Sequence, residues 1–299
     1  MRYLGAALAA VLLAMLVLTQ TAAPQQTAPP SVSGAGAPPL DYVCPMDPDV
    51  RSATPGKCPR CGMTLRLGIP DEIEYPLDLT LAPRVPKAGQ PLDFTFHIRD
   101  PRKSTLVTKF EIVHEKLFHL FLVSQDLNYF VHDHPVLESP GTFRYTATLP
   151  RPGLYRVLGD YYPSGGTPQL TARTIFVPGG RLETAALQPD LAPKHTANMD
   201  VQLTTQPAQP LAGYKTLLFF DVKPGDGLEQ YIGAWGHMLA ASDDLIDLIH
   251  THPFLADGSP HLQFNVIFPR ARTYRLWVQF QRKGVVNTAI FTVPVQELK

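Results

Sequence analysis

The chain contains the same unit twice. HLFLVSQDLNYFVHDHP at residues 119–135 matches HMLAASDDLIDLIHTHP at 237–253, an offset of 118. LPRPGLYRV at 149–157 matches FPRARTYRL at 268–276, an offset of 119. One residue of loop length reconciles the two offsets, so a supersecondary unit has been duplicated. Short alternating runs separated by Pro and Gly fill the first copy: PLDFTFHI (91–98), VTKFEIV (107–113), LFHLFLVS (117–124), TFRYTATL (142–149), LYRVLGDYY (154–162) and RTIFV (173–177). The second copy has TLLFFDV (216–222), HMLAAS (237–242), HLQFNVIF (261–268), TYRLWVQF (273–280) and TAIFTV (288–293). Alternation over such short runs marks half-buried strands, and no stretch keeps helical periodicity over three turns. The 31 prolines in 299 residues argue the same way, since proline fixes φ and removes a backbone donor. The expected fold is mainly β: a small Cys-rich knuckle at 41–68, then two tandem antiparallel β-sandwich domains, immunoglobulin- or cupredoxin-like, at 71–180 and 196–299.

The N-terminus reads as an export segment. Arg2 precedes an uninterrupted apolar or small-residue run from Tyr3 to Leu18, whose helical length of about 24 Å is short for a membrane span. A signal peptide over residues 1–23 is expected, with an uncleaved membrane anchor as the alternative. Residues 24–40 are a Pro/Ala-rich linker without charge and with too little apolar bulk to fold. Either reading places the rest in the periplasm or another extracytoplasmic space, touching the membrane only through the N-terminal segment if that is retained. Lys and Arg number 26 against 26 Asp and Glu, which argues against the basic patch that a nucleic-acid partner requires.

All three cysteines lie in DYVCPMDPDVRSATPGKCPRCGMTLR, residues 41–66. Cys58-Pro59-Arg60-Cys61-Gly62 is a C-x-x-C knuckle: the spacing lets two thiolates reach one ion, and Gly62 permits the tight backbone. Cys44-Pro45-Met46 is a second, incomplete knuckle 14 residues upstream of Cys58. Thiolates with thioether neighbours Met46 and Met63 favour zinc or copper(I) over hard cations. Lys57 and Arg60 are placed to lower the thiol pKa values. A Cys58–Cys61 disulfide with Cys44 free is the alternative to metal binding.

This stretch resembles the small heavy-metal-binding domain whose pattern runs Y-x-C-P-M-H-P-x-V and then P-G-K-C-P-x-C-G-M-x-L. Such domains occur on copper-transporting P-type ATPases and on periplasmic adaptors of copper/silver efflux pumps. The identities fall at Tyr42, Cys44, Pro45, Met46, Pro48, Val50, Pro55, Gly56, Lys57, Cys58, Pro59, Cys61, Gly62, Met63 and Leu65. The resemblance implies ligation of zinc or copper by Cys44, Cys58 and Cys61. The departure is Asp47, where the family has His. A carboxylate suits zinc and suits copper(I) poorly, and Asp47 or Met46 is expected to complete the donor set. VHEKLFHLFLVSQDLNYFVHDHP (113–135) in turn resembles a recurrent extracytoplasmic domain that accompanies the Cys-rich module and brings no settled activity.

Histidines sit inside the repeat: His119, His132 and His134 in the first copy, His237, His250 and His252 in the second. Each H-x-H pair places two imidazoles on one face of a strand. A two-residue hairpin loop at Gln125-Asp126 would set His119 directly opposite His132, and one at Asp243-Asp244 would set His237 opposite His250. Opposed Cβ atoms lie about 5 Å apart, close enough for each copy to hold zinc or copper(II) on three imidazoles. The alternative is that these histidines only stiffen each hairpin. His114 aligns with Ile232 and falls outside the repeated set, while His97, His195 and His261 have no partner pattern.

The chain has no phosphate loop, dinucleotide fingerprint, G-x-S-x-G elbow or H-E-x-x-H helix. The expectation is therefore a non-enzymatic protein of the cell envelope that captures or delivers copper or zinc for homeostasis or efflux. Its partners would be the metal ion and an efflux pump or other envelope protein. The alternative is a structural or interaction protein whose Cys module holds a purely structural zinc.

Overall fold

Three two-residue strands frame the Cys module: β1 (Tyr42–Val43), β2 (Arg51–Ser52) and β3 (Arg66–Leu67), antiparallel in the order β2-β1-β3. The computed structural model describes residues 42–47, 50–68, 73–180, 185–254 and 257–298. The expected export segment at 1–23 and the linker at 24–40 lie outside the described residues.

The first repeat contributes β4 (Leu77–Ala82), β5 (Pro91–Ile98), β6 (Phe118–Ser124), β7 (Phe130–Asp133), β8 (Val136–Ser139), β9 (Thr142–Thr148), β10 (Gly153–Tyr161) and β11 (Gln169–Val177). They form two antiparallel sheets, β4-β5-β9-β8 and β11-β10-β6-β7. In β5, Leu92, Phe94, Phe96 and Ile98 are buried and the positions between them are not. One face of the strand thus seals against the facing sheet, where Phe118, Leu120, Leu122, Tyr155 and Val157 complete the same core.

The second repeat adds β12 (Lys194–His195), β13 (Asp200–Gln206), β14 (Lys215–Lys223), β15 (Leu228–Glu229), β16 (His237–Ser242), β17 (Leu248–Thr251), β18 (His261–Ile267), β19 (Thr273–Arg282) and β20 (Val285–Pro294). Its sheets are β12-β13-β14-β18 and a five-stranded one in which β19 pairs β15, β16 and β20, with β17 beyond β16. Leu218, Phe220, Phe264, Tyr274, Phe280 and Phe291 meet between the layers. Two β-sandwiches follow, as the alternation implied.

β6 and β16 depart from alternation: every residue in each is buried. Phe118, Leu120 and Leu122 enter their own sandwich, whereas Phe121 and Val123 turn outward to meet Leu239 and Ala241 of β16. Leu127, Leu158, Leu245 and Trp277 join them, and the Phe130 and Trp277 rings stack with centroids 4.9 Å apart. The repeats therefore share an apolar seam, with each large side chain buried there contributing about 1.5–3 kcal/mol. Arg275 Nη1 donates across it to the Leu127 carbonyl at 3.0 Å.

Residues 107–113 are not the strand their alternation suggested; Phe110 and Val113 make only isolated bridges. The chain turns immediately afterwards, with positive φ at His114 (46°) and Glu115 (64°), and its backbone bonds go to Tyr162 and Ser164. β4 and β13 add to the expected strands: LDLTLA alternates leucine with polar residues, whereas DVQLTTQ buries only Val201 and Leu203. The inter-repeat segment is partly built into the fold: Ala185 and Leu187 pack on the seam and Asp190 N–H donates to the Thr292 carbonyl at 2.9 Å.

Candidate metal centres

Tight backbone turns bring the three thiols together. Cys44 N–H donates to Val50 O at 3.0 Å, Cys58 N–H to Met63 O at 2.7 Å and Gly62 N–H to Cys58 O at 2.9 Å. Gly62 has φ 75°, a conformation open to glycine at no steric cost. All three cysteines are buried free thiols. Sγ of Cys44 lies 3.4 Å from Sγ of Cys61 and 3.7 Å from Asp47 Oδ2, which is 3.5 Å from Sγ of Cys58. One donor atom from each of Cys44, Asp47, Cys58 and Cys61 falls within 4.8 Å of the others. Tetrahedral zinc with Zn–S bonds of about 2.3 Å needs sulfurs about 3.8 Å apart, so these residues fit a four-donor ion. Met46 packs on the apolar side of the module.

The thiols titrate together. Hydrogen bonds from Cys44 and then Cys61 pull Cys58 far below its ordinary value, making it the first thiolate. Its hydrogen bond to Cys58 pushes Cys44 up to about 12, and the bond to Cys44 likewise raises Cys61. Burial raises Asp47 against the opposing charge of Arg60. Arg60 contributes to the lowering of Cys58 through its backbone N–H, while its side chain is engaged elsewhere. Arg60 Nη1 pairs with Asp47 Oδ1 at 3.0 Å, and its guanidinium lies 4.2 Å from the Phe254 ring centre.

The histidine register differs from the expected one. β6 and β7 pair Leu120 with Asp133 and Phe121 with His132, and β16 and β17 pair Met238 with Thr251 and Leu239 with His250. His119 therefore faces His134, and His237 faces His252, while His132 and His250 take the diagonal positions. The cause is a four-residue loop in place of two. Ser124 N–H donates to Tyr129 O and Leu127 N–H to Ser124 O, with Leu127 at φ 57°. Ser124 Oγ also bonds the Asp126 carboxylate, which accepts from Asn128 N–H. Ser242, Asp244 and Leu245 (φ 55°) repeat this. A shift of two residues leaves each side chain on its original face.

That face is the seam, so the six histidines make one cluster instead of one site per copy. His119 Nδ1 is 3.2 Å from both His132 Nε2 and His134 Nε2, and His252 Nε2 is 3.0 Å from His237 Nδ1. Across the repeats, the His132 and His237 rings lie 5.3 Å apart and those of His119 and His250 5.8 Å. Donor atoms of His119, His132 and His134, and those of His132, His237 and His250, lie within 4.8 Å of one another. His114, set aside in the sequence, is a seventh member: it is buried, with its ring 3.8 Å from His252. His195 and His261 are exposed and pair with Asp200 and Asp221.

Outer partners orient the rings. His119 Nε2 donates to Val113 O at 3.0 Å and His237 Nε2 to Tyr231 O at 2.8 Å. His132 Nδ1 bonds Gln279 Oε1 at 2.7 Å, and His250 Nδ1 bonds Asp160 Oδ2 at 2.5 Å. Asp160 and Gln279 stand at equivalent repeat positions, and each reaches a histidine of the other repeat. Neither is among the expected site residues; their alignment at the offset of 119 is the signal in the sequence that pairs them. Burial, reinforced by neighbouring imidazoles, lowers His114 and His119 to about 4 and His134 to about 3. His132, His237 and His252 fall well below the usual range for the same reasons. Burial of Asp160 opposes ionisation, but the His250 hydrogen bond and the surrounding imidazoles leave its pKa lowered.

The Cys module sits beside this cluster. Cys44, Cys58, Met63 and Leu65 pack against Val113 and Tyr162 of the first repeat. A groove of about 410 Å³ runs from Met46, Asp47 and Arg60 to His252 and Phe254, and a neighbouring one of about 370 Å³ from Pro59 to His114.

Family comparisons support the motif reading. Residues 42–66 match the heavy metal binding domain, and residues 72–178 and 194–297 match a domain of unknown function (DUF8832). No curated protein matches the sequence. Among solved structures, the chain is similar to the FdeC adhesin of Escherichia coli at 14% identity, covering 78% of this chain and 70% of that one, with a TM-score of 0.27. It is also similar to a two-domain fibronectin type III segment of chicken tenascin at 9% identity, covering 74% and 99%, with a TM-score of 0.25. No chemistry of this chain rests on such loose likenesses.

Proposed function

The chain belongs to the family defined by the domain of unknown function (DUF8832) and carries a heavy metal binding domain ahead of its two copies; from that premise we propose that it is an extracytoplasmic protein that captures and delivers copper or zinc. The reading includes no catalytic step. One observation carries it: three buried thiols and one carboxylate oxygen converge on a volume the size of a single ion. Soft thiolates select zinc or copper(I), and the Asp47 oxygen tilts the set toward zinc. The apolar run at Tyr3 to Leu18 supports export, and the groove beside Asp47 and Met46 supports exchange with a partner such as an efflux pump.

A second reading is favoured by the packing of the module on Val113 and Tyr162: a purely structural zinc that holds the knuckle in place for an interaction protein. Elemental analysis of the untagged protein, purified without chelator, tests both. Capture and delivery predict an ion at the Cys module that exchanges under mild chelation, and Cys44→Ser lowers the metal content by that one ion per chain. Metal that resists mild chelation supports the structural reading, and unchanged affinity in Cys44→Ser removes the proposal.

A further inference from the structure

Four imidazoles at the seam turn unprotonated nitrogens toward one another. A carbonyl or carboxylate oxygen only accepts, so His119 Nε2, His237 Nε2 and His250 Nδ1 carry the protons in their bonds to Val113, Tyr231 and Asp160. Gln279 Nε2 donates to Thr288 Oγ1 at 3.2 Å, which aims Oε1 at His132 Nδ1 and makes that nitrogen the donor too. The lone pairs then belong to His119 Nδ1, His132 Nε2, His237 Nδ1 and His250 Nε2; His134 Nε2 at 3.2 Å and His252 Nε2 at 3.0 Å can donate to His119 and His237, which leaves His132 Nε2 and His250 Nε2 without a protein donor. His119 Nδ1 and His132 Nε2 are 3.2 Å apart, where facing lone pairs repel unless a cation joins them. His250 Nε2 is buried with no hydrogen-bond partner, a costly state for a polar atom.

We propose that the seam between the repeats is a second metal centre, in which His132, His237 and His250 bind a borderline divalent ion of the zinc or copper(II) class. The metal class follows from the donors, which are neutral imidazoles without thiolate. Asp160 and Gln279 are positioning residues. Each holds the far nitrogen of a ligand from the opposite repeat, which fixes the tautomer and the ring orientation. Neither repeat alone contains the set, so the centre forms only when the two are docked. It also explains why β6 and β16 carry histidine at the end of an otherwise apolar face. The centre is independent of the Cys module, and each can fail without the other.

The test uses the full chain carrying Cys44→Ser, Cys58→Ser and Cys61→Ser. It is stripped of metal, loaded with copper(II), desalted, and examined by elemental analysis and electron paramagnetic resonance. About one copper per chain is expected, with splitting from three or more nitrogens. Adding His132→Asn and His250→Asn removes the ion, and Asp160→Asn weakens it about 10–100-fold while the stoichiometry at saturation is kept. A Cys-free chain that retains no copper overturns the proposal, as does copper with an unchanged spectrum after His132 and His250 are replaced. Should the Cys-free chain not fold, wild-type protein with its thiols filled by silver(I) gives the same spectroscopic reading, independent of any variant.

Discussion

Acid should destabilise the metal-free protein through its buried histidines, and the size of the effect can be worked out. His114 and His119 titrate at about 4 in the folded chain, against about 6.5 in an unfolded one. Their folded values are depressed, so below 6.5 the unfolded state binds more protons. Stability is therefore whole above that pH and drains away as pH falls toward 4. Integrated from pH 7 to pH 5, each group costs the native state about 2 kcal/mol, and the pair about 4 kcal/mol. That is a large share of the roughly 5–15 kcal/mol typical of a domain. His132, His134, His237 and His252 are lowered too and act in the same direction, so the pair sets a floor. Urea unfolding of chelator-stripped protein, followed by the fluorescence of Trp277 in the seam, measures the loss. His114→Asn is the control, since asparagine tolerates the positive φ of 46° at that position. The variant should lose about 2 kcal/mol less than wild type over the same interval. Equal stability of the wild type at both pH values, or an unchanged slope in the variant, would show that these histidines are not held unprotonated by burial.

Three further outcomes are expected. Phe121→Ala opens a cavity in the seam, destabilises by about 3–5 kcal/mol and leaves a single unfolding transition; two separated transitions in the wild type would contradict a shared seam. Gly159→Val places a Cβ 2.5 Å from Phe118 Cζ and 3.3 Å from Leu77 Cδ2, an overpacking worth about 1–3 kcal/mol, and an unchanged Tm would speak against so tight a contact. Arg60→Ala releases Asp47 from its ion pair and should weaken zinc binding by about tenfold or more; unchanged affinity by competitive titration would show that Arg60 does not orient the carboxylate.

Much of the site was legible because its signals are local. The C-x-x-C turn, Cys44 and Asp47 are set by spacing over a few residues, and the chain closes them into one donor set with hydrogen bonds among themselves. The H-x-H pairs share a face by strand periodicity alone, a relation that survives a register shift of two. The register itself was misjudged, because Leu127 and Leu245 look like strand residues yet adopt positive φ inside the turns. His114 was passed over for a similar reason: it matches Ile232 in the repeat, and its burial depends on where the turn after Val113 lands.

The duplication, the β-sandwich class, the Cys module and the face on which each histidine stands are all written in local order along the chain. Periodicity and spacing dictate these, and both are properties of neighbouring residues. Packing of the folded chain joins the two histidine sets into one cluster, carries Asp160 and Gln279 across between repeats to orient it, and docks the Cys module beside it. Strand alternation states which side chains leave a sheet together. What covers them depends on the area and shape of the opposing surface, and no spacing along the chain encodes that.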